Sequence, residues 1–241
     1  MITLPSLNEL PSKWNEIREQ LETDFPATLE ALLHERLTEH EAKQFEQDFI
    51  DCIGCAPEEY VRIRRAIRLL ETRYPDSPNE LTAAAVATPL GEMLAVFGSN
   101  GLCLLEFVGQ KHMEQEIMAV QKALNGQFIF QENEQTQLLR QELDLYFQGR
   151  LKVFATPLET IGTAFQQQVW NALLTIPYGE TRSYKEQAQR LGNPKAVRAV
   201  AAANGQNKVS ILIPCHRVIG SDGKLTGYAG GLNRKQSLLA L

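Results

Sequence analysis

Ser183-Tyr-Lys-Glu-Gln-Ala-Gln-Arg-Leu-Gly-Asn-Pro-Lys-Ala-Val-Arg-Ala-Val-Ala-Ala-Ala203 reads as two capped helices joined by a short turn. Ser183 can accept from the third backbone N–H while Glu186 reaches back to the Ser183 amide, forming a capping box. Gly192 supplies the left-handed residue that stops the first helix. Asn193 is placed to cap the second, with Pro194 at its first position, where no N–H is missed. Two helices in this relation make a helix-turn-helix. The second carries Lys195, Arg198 and the alanines Ala196, Ala199, Ala201, Ala202 and Ala203. Small side chains let a helix lie close against a flat partner, and they equally suit tight packing in a core.

Outward from this stretch, the spacing predicts an amphipathic helix over Ala164–Leu174, with Phe165, Val169 and Leu173 inward and Trp170 also in the core. Thr163 and Gln166 make a second capping box, and Pro177-Tyr-Gly179 closes the segment. Downstream, Ile211-Leu-Ile reads as a buried strand, broken by Pro214. Leu232–Leu241 reads as a final helix, with Leu232, Leu238 and Leu239 for packing. Upstream, strands are expected over Leu81–Thr88, Met93–Gly98 and Leu102–Val108, the last two flanking the turn Ser99-Asn-Gly101, and Asn-Gly favours a hairpin. Helical patterns follow at His112–Leu124 and Gln135–Gln148. The first 75 residues are helical in pattern: Trp14, Ile17, Leu21, then Phe45, Phe49, Ile53, then a run from Tyr60 to Leu70. Arg73-Tyr-Pro-Asp-Ser-Pro-Asn79 reads as a linker, because its prolines cannot continue a helix. Three segments result, 1–75, 80–156 and 157–241, in a mixed α/β (α+β) chain.

The net charge of the 241 residues is -5, but it is unevenly spread. Residues 161–241 hold ten bases and three acids, whereas the first two segments are acidic. Attraction to phosphate depends on the local field, so the last third is a candidate nucleic-acid surface despite the acidic total. No apolar run reaches the roughly 18 residues of a membrane span. The opening Met-Ile-Thr-Leu-Pro-Ser lacks the pattern of a secretory signal. Four cysteines at irregular spacing suit a reduced, cytoplasmic setting. Cys52-x-x-Cys55 has no second pair to complete a metal site, so both are expected to pack between helices, and no metal or cofactor is expected. Cys103, in a strand-like apolar run, is expected to be buried and inert.

Chemistry concentrates at Ile211-Leu-Ile-Pro-Cys-His-Arg-Val218. A cysteine needs a base or a positive neighbour to exist as thiolate near neutral pH, and His216 stands beside Cys215. Pro214-Cys-His-Arg-Val218, with Asn207 eight residues before the cysteine and Gly227-Tyr-Ala-Gly-Gly231 after it, resembles the O6-methylguanine-DNA methyltransferase family. Phe165-Gln-Gln-Gln-Val-Trp170, Ile176-Pro-Tyr-Gly179, Ser183-Tyr184 and Ala196-Val-Arg-Ala-Val200 fit that family in order and spacing. The likeness is strongest to the methyltransferase half of the bacterial Ada adaptive-response protein. It covers about 80–241, densely over 157–241.

The resemblance implies a ribonuclease-H-like sheet domain at 80–156 and a winged-helix-like DNA-binding and active-site domain at 157–241. It implies a monomer that acts on double-stranded DNA carrying O6-alkylguanine, with O4-alkylthymine as a further substrate. Cys215 would be the nucleophile and alkyl acceptor, consumed in one turnover. His216 would take its proton through a water. Asn207 would brace the turn between the recognition helix and the active-site strand. Tyr184 would donate its hydroxyl toward the guanine, and Arg198 would enter the duplex where the base had been. Ser183, Lys195 and Ala196 would line the DNA contact. The carbonyls of Cys215 and Val218 and the backbone at Ala229 and Gly230 would hold the guanine edge. Such chemistry requires the base to leave the stack, at a cost of a few kcal/mol. A side chain filling the vacancy offsets part of that. Arg217 is expected in an internal salt bridge.

Two features depart from the family pattern. The family's triad glutamate would fall at position 242, beyond Leu241, which predicts a less well oriented His216. Phe45-x-x-x-Phe49-x-x-x-x-Gly54-x-x-Pro57-x-x-Tyr60-x-Arg62 resembles the end of an AraC-type helix-turn-helix, with Arg62, Arg64, Arg65 and Arg68 as a local basic run. That remnant supports an alternative, a DNA-binding regulator that senses alkylation. A Cys-His hydrolase is a third reading, but no oxyanion-hole motif accompanies the pair.

Overall fold

The computed structural model describes residues 2, 4–23, 29–74 and 76–241. Met1 and Thr3 of the opening stretch, and Pro75 of the predicted linker, lie outside them. The chain divides into two compact units, Ile2–Leu69 and Leu70–Leu241.

The first unit is helical. Helix α1 spans Asn15–Thr23, α2 Leu29–Arg36, α3 Glu39–Ile53 and α4 Pro57–Glu71. The predicted helical periodicity holds, and α2 adds a helix that had no clear periodic signal. Thr38 and Glu41 form a capping box on α3, and Gly54 ends it at φ 83°. Pro57 opens α4 rather than merely breaking the chain, because a first-turn proline loses no helical hydrogen bond. Trp14, Phe45, Phe49 and Tyr60 stack edge to face in series, at centroid distances of 5.3, 5.5 and 5.5 Å. Cys52 and Cys55 are free and half-buried against this core.

In the second unit, strands β1 (Asn79–Val86), β2 (Met93–Phe97) and β3 (Leu102–Phe107) form an antiparallel meander. Gly98 N–H donates to Gly101 O across the predicted hairpin turn at 2.9 Å. Helix α5 (Met113–Leu124) then crosses over to β4 (Gly126–Phe130), which lies parallel to β1 and completes the order β3-β2-β1-β4. Sequence reasoning missed β4. Its alternation of Phe128 and Phe130 is short, and its partner β1 lies 40-odd residues upstream. Helix α6 (Glu134–Phe147) follows, capped by Asn133. Cys103 is fully buried, and burial raises its thiol to about 12.

The remaining elements are α7 (Ala164–Leu174), β5 (Arg182–Ser183), α8 (Tyr184–Arg190), α9 (Val197–Gly205), β6 (Val218–Ile219) and α10 (Leu232–Leu239). Both predicted capping boxes are present, Thr163 with Gln166 and Ser183 with Glu186. Gly192 has φ 74°, the left-handed conformation expected of it. Four expectations need correction. Asn193 and Pro194 do not start α9: Ala196 N–H donates to Asn193 O, so 193–196 is a turn, and α9 begins at Val197 without a side-chain cap. Ile211–Ile213 is not a strand but a series of tight turns, with Ile211 at φ 71°. Phe165 is 38% exposed, because the buried stripe of α7 runs through Val169, Trp170 and Leu173. Leu232 is exposed, and Leu238 carries the packing of α10.

β3 has an open edge, and the chain after α9 fills it. Leu105 N–H donates to Lys208 O and Ser210 N–H donates to Leu105 O, both at 2.8 Å. The segment that leads to Cys215 is therefore fastened to the sheet, and Val209, Ile211 and Ile213 join the same apolar core as Phe107 and Trp170.

Candidate active site

Cys215 opens a one-turn 3-10 helix, Cys215–Arg217, directly after the turns. Those turns leave backbone groups buried, and Asn207 satisfies them. Its Oδ1 accepts from Val209 N–H at 3.0 Å, and its Nδ2 donates to Ile213 O at 2.9 Å. The same Nδ2 lies 3.3 Å from Cys215 Sγ. Asn207 thus braces the turn, as the sequence suggested, and also faces the sulfur, which the sequence did not reveal.

The thiol is not preactivated. Burial raises Cys215 to about 11, opposed by the Asn207 hydrogen bond. His216 is fully buried, and burial, then Arg217 and Lys235, lowers it to about 3. Its Nε2 lies 3.4 Å from Tyr146 Oη, and Nδ1 has no hydrogen-bond partner among the described residues. Burial thus favours the neutral form of both groups, because a dry interior penalises each charged form.

Arg217 is internal, but not in a salt bridge. Its guanidinium donates to Ile176 O at 2.7 Å and toward Tyr146 Oη at 3.5 Å, and it sits over the Tyr178 ring. Among the described residues no carboxylate forms an ion pair with it. Lys235, also buried, donates to the carbonyls of Val218, Thr226 and Gly227 at 2.6, 2.7 and 3.2 Å. It ties the loop before α10 to the strand after Cys215. Gly230 is needed in that loop, since a Cβ there would stand 2.8 Å from the Tyr228 ring and 2.9 Å from Phe107.

A cavity of about 490 Å³ opens onto Cys215. Tyr184, Arg198, Asn207, Ser210, Tyr228 and Ala229 are among its lining residues. Tyr184 begins α8, and its hydroxyl donates to Thr226 O, another lining residue, at 3.3 Å. Val218 is fully buried, and Gly230 is buried within the loop before α10. Ser183 is half-buried, and its hydroxyl is committed to Glu186 at 2.7 Å. Lys195, Arg198, Ala199 and Ala202 are exposed, Ala196 and Ala201 half-buried, and Ala203 buried. The alanines divide between core and surface. Ala203 packs inward, and the others leave a low surface around Arg198. His112, at the start of α5, and Ser210 also line the cavity, and sequence reasoning missed both. His112 opened a helical pattern that carried no chemical signal, and Ser210 lay in no pattern that would have marked it.

Among the described residues no group of His, Cys, Asp and Glu side chains is arranged to hold a metal ion, and no helix is long and apolar enough to cross a membrane.

Residues 164–241 match the family described as 6-O-methylguanine DNA methyltransferase, DNA binding domain. A methylated-DNA–protein-cysteine methyltransferase of Mycobacterium tuberculosis is 61% identical over 100 residues, which are 42% of this chain and 61% of that protein. The chain thus spans about three fifths of the length of its mycobacterial relatives. A protein of the same name from Methanosarcina acetivorans is 46% identical over 159 residues, covering 66% of this chain and 96% of the relative. The crystal structure of Mycobacterium tuberculosis OGT in complex with DNA superposes with TM-score 0.56 at 41% identity, over 66% of this chain and 91% of that one.

Proposed function

This chain belongs to the methylated-DNA–protein-cysteine methyltransferase family, and on that premise we propose that it repairs DNA by moving an alkyl group from guanine O6 to its own Cys215. The observation that carries the reading is Cys215 itself, at the inner end of a cavity bordered by Tyr184, Arg198 and Tyr228. In the step, the sulfur–carbon bond forms as the carbon–O6 bond breaks, and the thiol proton ends on the guanine. The thioether has no low-energy leaving route, so each molecule acts once.

The residues divide the work. Arg198, exposed among small side chains, enters the duplex and fills the space left by the flipped base. Tyr184 gives up Thr226 O and donates to the guanine as O6 becomes a leaving oxygen, which is general-acid help. The carbonyls of Cys215 and Val218 and the backbone at Ala229 and Gly230 hold the base edge. His216 takes the thiol proton as the bond forms, so no standing thiolate is required. Lys195 and Ala196 lie along the DNA backbone, with Ser183 capping the helix that presents Tyr184. The substrate is double-stranded DNA carrying O6-alkylguanine, and the protein acts as a monomer. Residues 157–241 carry the DNA contact and the chemistry, 80–156 supply the sheet that anchors them, and 1–75 stay outside the transfer step.

The test is the intact mass of the protein after mixing with excess duplex containing O6-methylguanine. One added methyl per protein, mapped to Cys215, is expected. Repeated turnover, or a methyl group on another residue, would sink the reading.

A further inference from the structure

The cavity beside Cys215 is walled by the last third of the chain, with a single exception. His112 is the lining residue that comes from outside 157–241. The turn between β3 and α5 brings it there. Gly109, at φ 83°, bends the chain. Gln110 N–H then donates to Phe107 O at 3.2 Å, and Met113 N–H to Gln110 O at 3.3 Å. Both residues that flank the tip are anchored. The Gln110 side chain is buried and donates to Glu116 at 2.9 Å, and Met113 is fully buried. Lys111 and His112, between them, are exposed. Among the described residues neither side chain forms an ion pair or a hydrogen bond, and His112 does not cap α5. The tip is thus a firm mount for two side chains that folding does not use. Lysine offers three N–H donors and no acceptor, and an imidazole carries at least one N–H. Arg198, on α9, lines the same cavity and is also exposed. A base that enters the cavity leaves its sugar and its flanking phosphates at the rim, where cations and N–H donors meet them.

We propose that Lys111 and His112 are a second DNA contact, through which the sheet domain holds the phosphates beside the flipped nucleotide. The DNA surface then extends beyond residues 157–241, and the strand is gripped from the β3–α5 turn as well as from α9. This inference rests on the transfer reading for the entry of a base.

The test is the affinity of the full chain for a duplex containing O6-methylguanine, measured by fluorescence anisotropy across a salt series. Each protein carries Cys215→Ala, so that binding is not followed by transfer. Lys111→Ala is expected to weaken binding about fivefold near 0.1 M salt, and to make the dependence of log affinity on log salt shallower by about 0.9. Lys111→Arg should restore both. His112→Arg places a permanent cation on the same mount, and is expected to tighten binding about threefold with a steeper salt dependence. A gain of that kind cannot come from misfolding. An unchanged salt dependence in either Lys111→Ala or His112→Arg overturns the proposal, as does a loss in Lys111→Ala that is equally large in Lys111→Arg. Benzyl transfer from free O6-benzylguanine to the protein with Cys215 intact is measured separately. Its absence would count against the transfer reading, while the salt series still decides whether this turn meets DNA.

Discussion

The carboxamide of Asn207 faces Cys215 with its Nδ2 3.3 Å from the sulfur, while the same nitrogen holds Ile213 O at 2.9 Å. One side chain therefore fixes the path of the backbone into the active site and supplies the sulfur with a hydrogen bond.

Replacing Asn207 by Ala leaves Val209 N–H and Ile213 O buried without their partner. A loss on the order of 2 kcal/mol in stability is expected. Alkyl transfer to Cys215 should slow by more than the stability loss explains, because the developing thiolate loses its donor. Urea unfolding and single-turnover rates with O6-benzylguanine check the two effects. A variant that unfolds earlier but transfers at the wild-type rate would show that the contact with sulfur is incidental.

Because burial holds the Cys215 thiol at about 11, a small electrophile that needs no pocket should meet very little thiolate. Carbamidomethylation of the Cys215 peptide by iodoacetamide should rise about tenfold per pH unit from 7 to 9. A plateau in that range would mean that the thiolate is already formed near neutrality.

His216 gives stability its own pH dependence. It is lowered to about 3 in the fold by burial, then by Arg217 and Lys235, against about 6.5 unfolded. Between those values the unfolded chain holds the extra proton, so stability falls as pH drops below about 6.5. Glu106 and Glu116, raised mainly by burial, act in the opposite sense, and lose stability as pH rises from about 4.5. Comparison with His216→Gln isolates the histidine. The stability of the wild type relative to that variant should fall by about 2 kcal/mol between pH 7 and 5. Parallel denaturation curves across that interval would mean that His216 titrates as it does in water.

Arg198→Ala should weaken repair of duplex DNA far more than reaction with free O6-benzylguanine, since a free base leaves no vacancy to fill. The side chain is exposed, so folding should be unaffected. Equal losses on both substrates would assign Arg198 to structure instead of DNA.

Lys235→Met removes the donor shared by Val218 O, Thr226 O and Gly227 O. Destabilisation on the order of 2–4 kcal/mol is expected from the carbonyls left unpaired. Hydrogen exchange should rise in 226–231 before it rises in β2. Uniform exchange across the unit would show that the lysine does not hold that loop in particular.

Much of this architecture is local and therefore legible in the sequence. The capping boxes at Thr163 and Ser183, the left-handed Gly192 and the hairpin at Ser99-Asn-Gly101 depend on residues within a few positions of one another. The motif around Cys215 likewise marked the residues now proposed to react before any contact was known. What tertiary structure alone decided lies at longer range. β4 exists because β1 offers it an edge. Ile211–Ile213 turns instead of extending, because Leu105 pairs with the chain just before it and Asn207 ties down its last carbonyl, Ile213 O. The protonation of Cys215 and His216 was also outside the sequence's reach. Burial and, at His216, the charges of Arg217 and Lys235 set that balance, and those arise only when distant segments close around the site. Residue identity chose the groups, and packing fixed their charges.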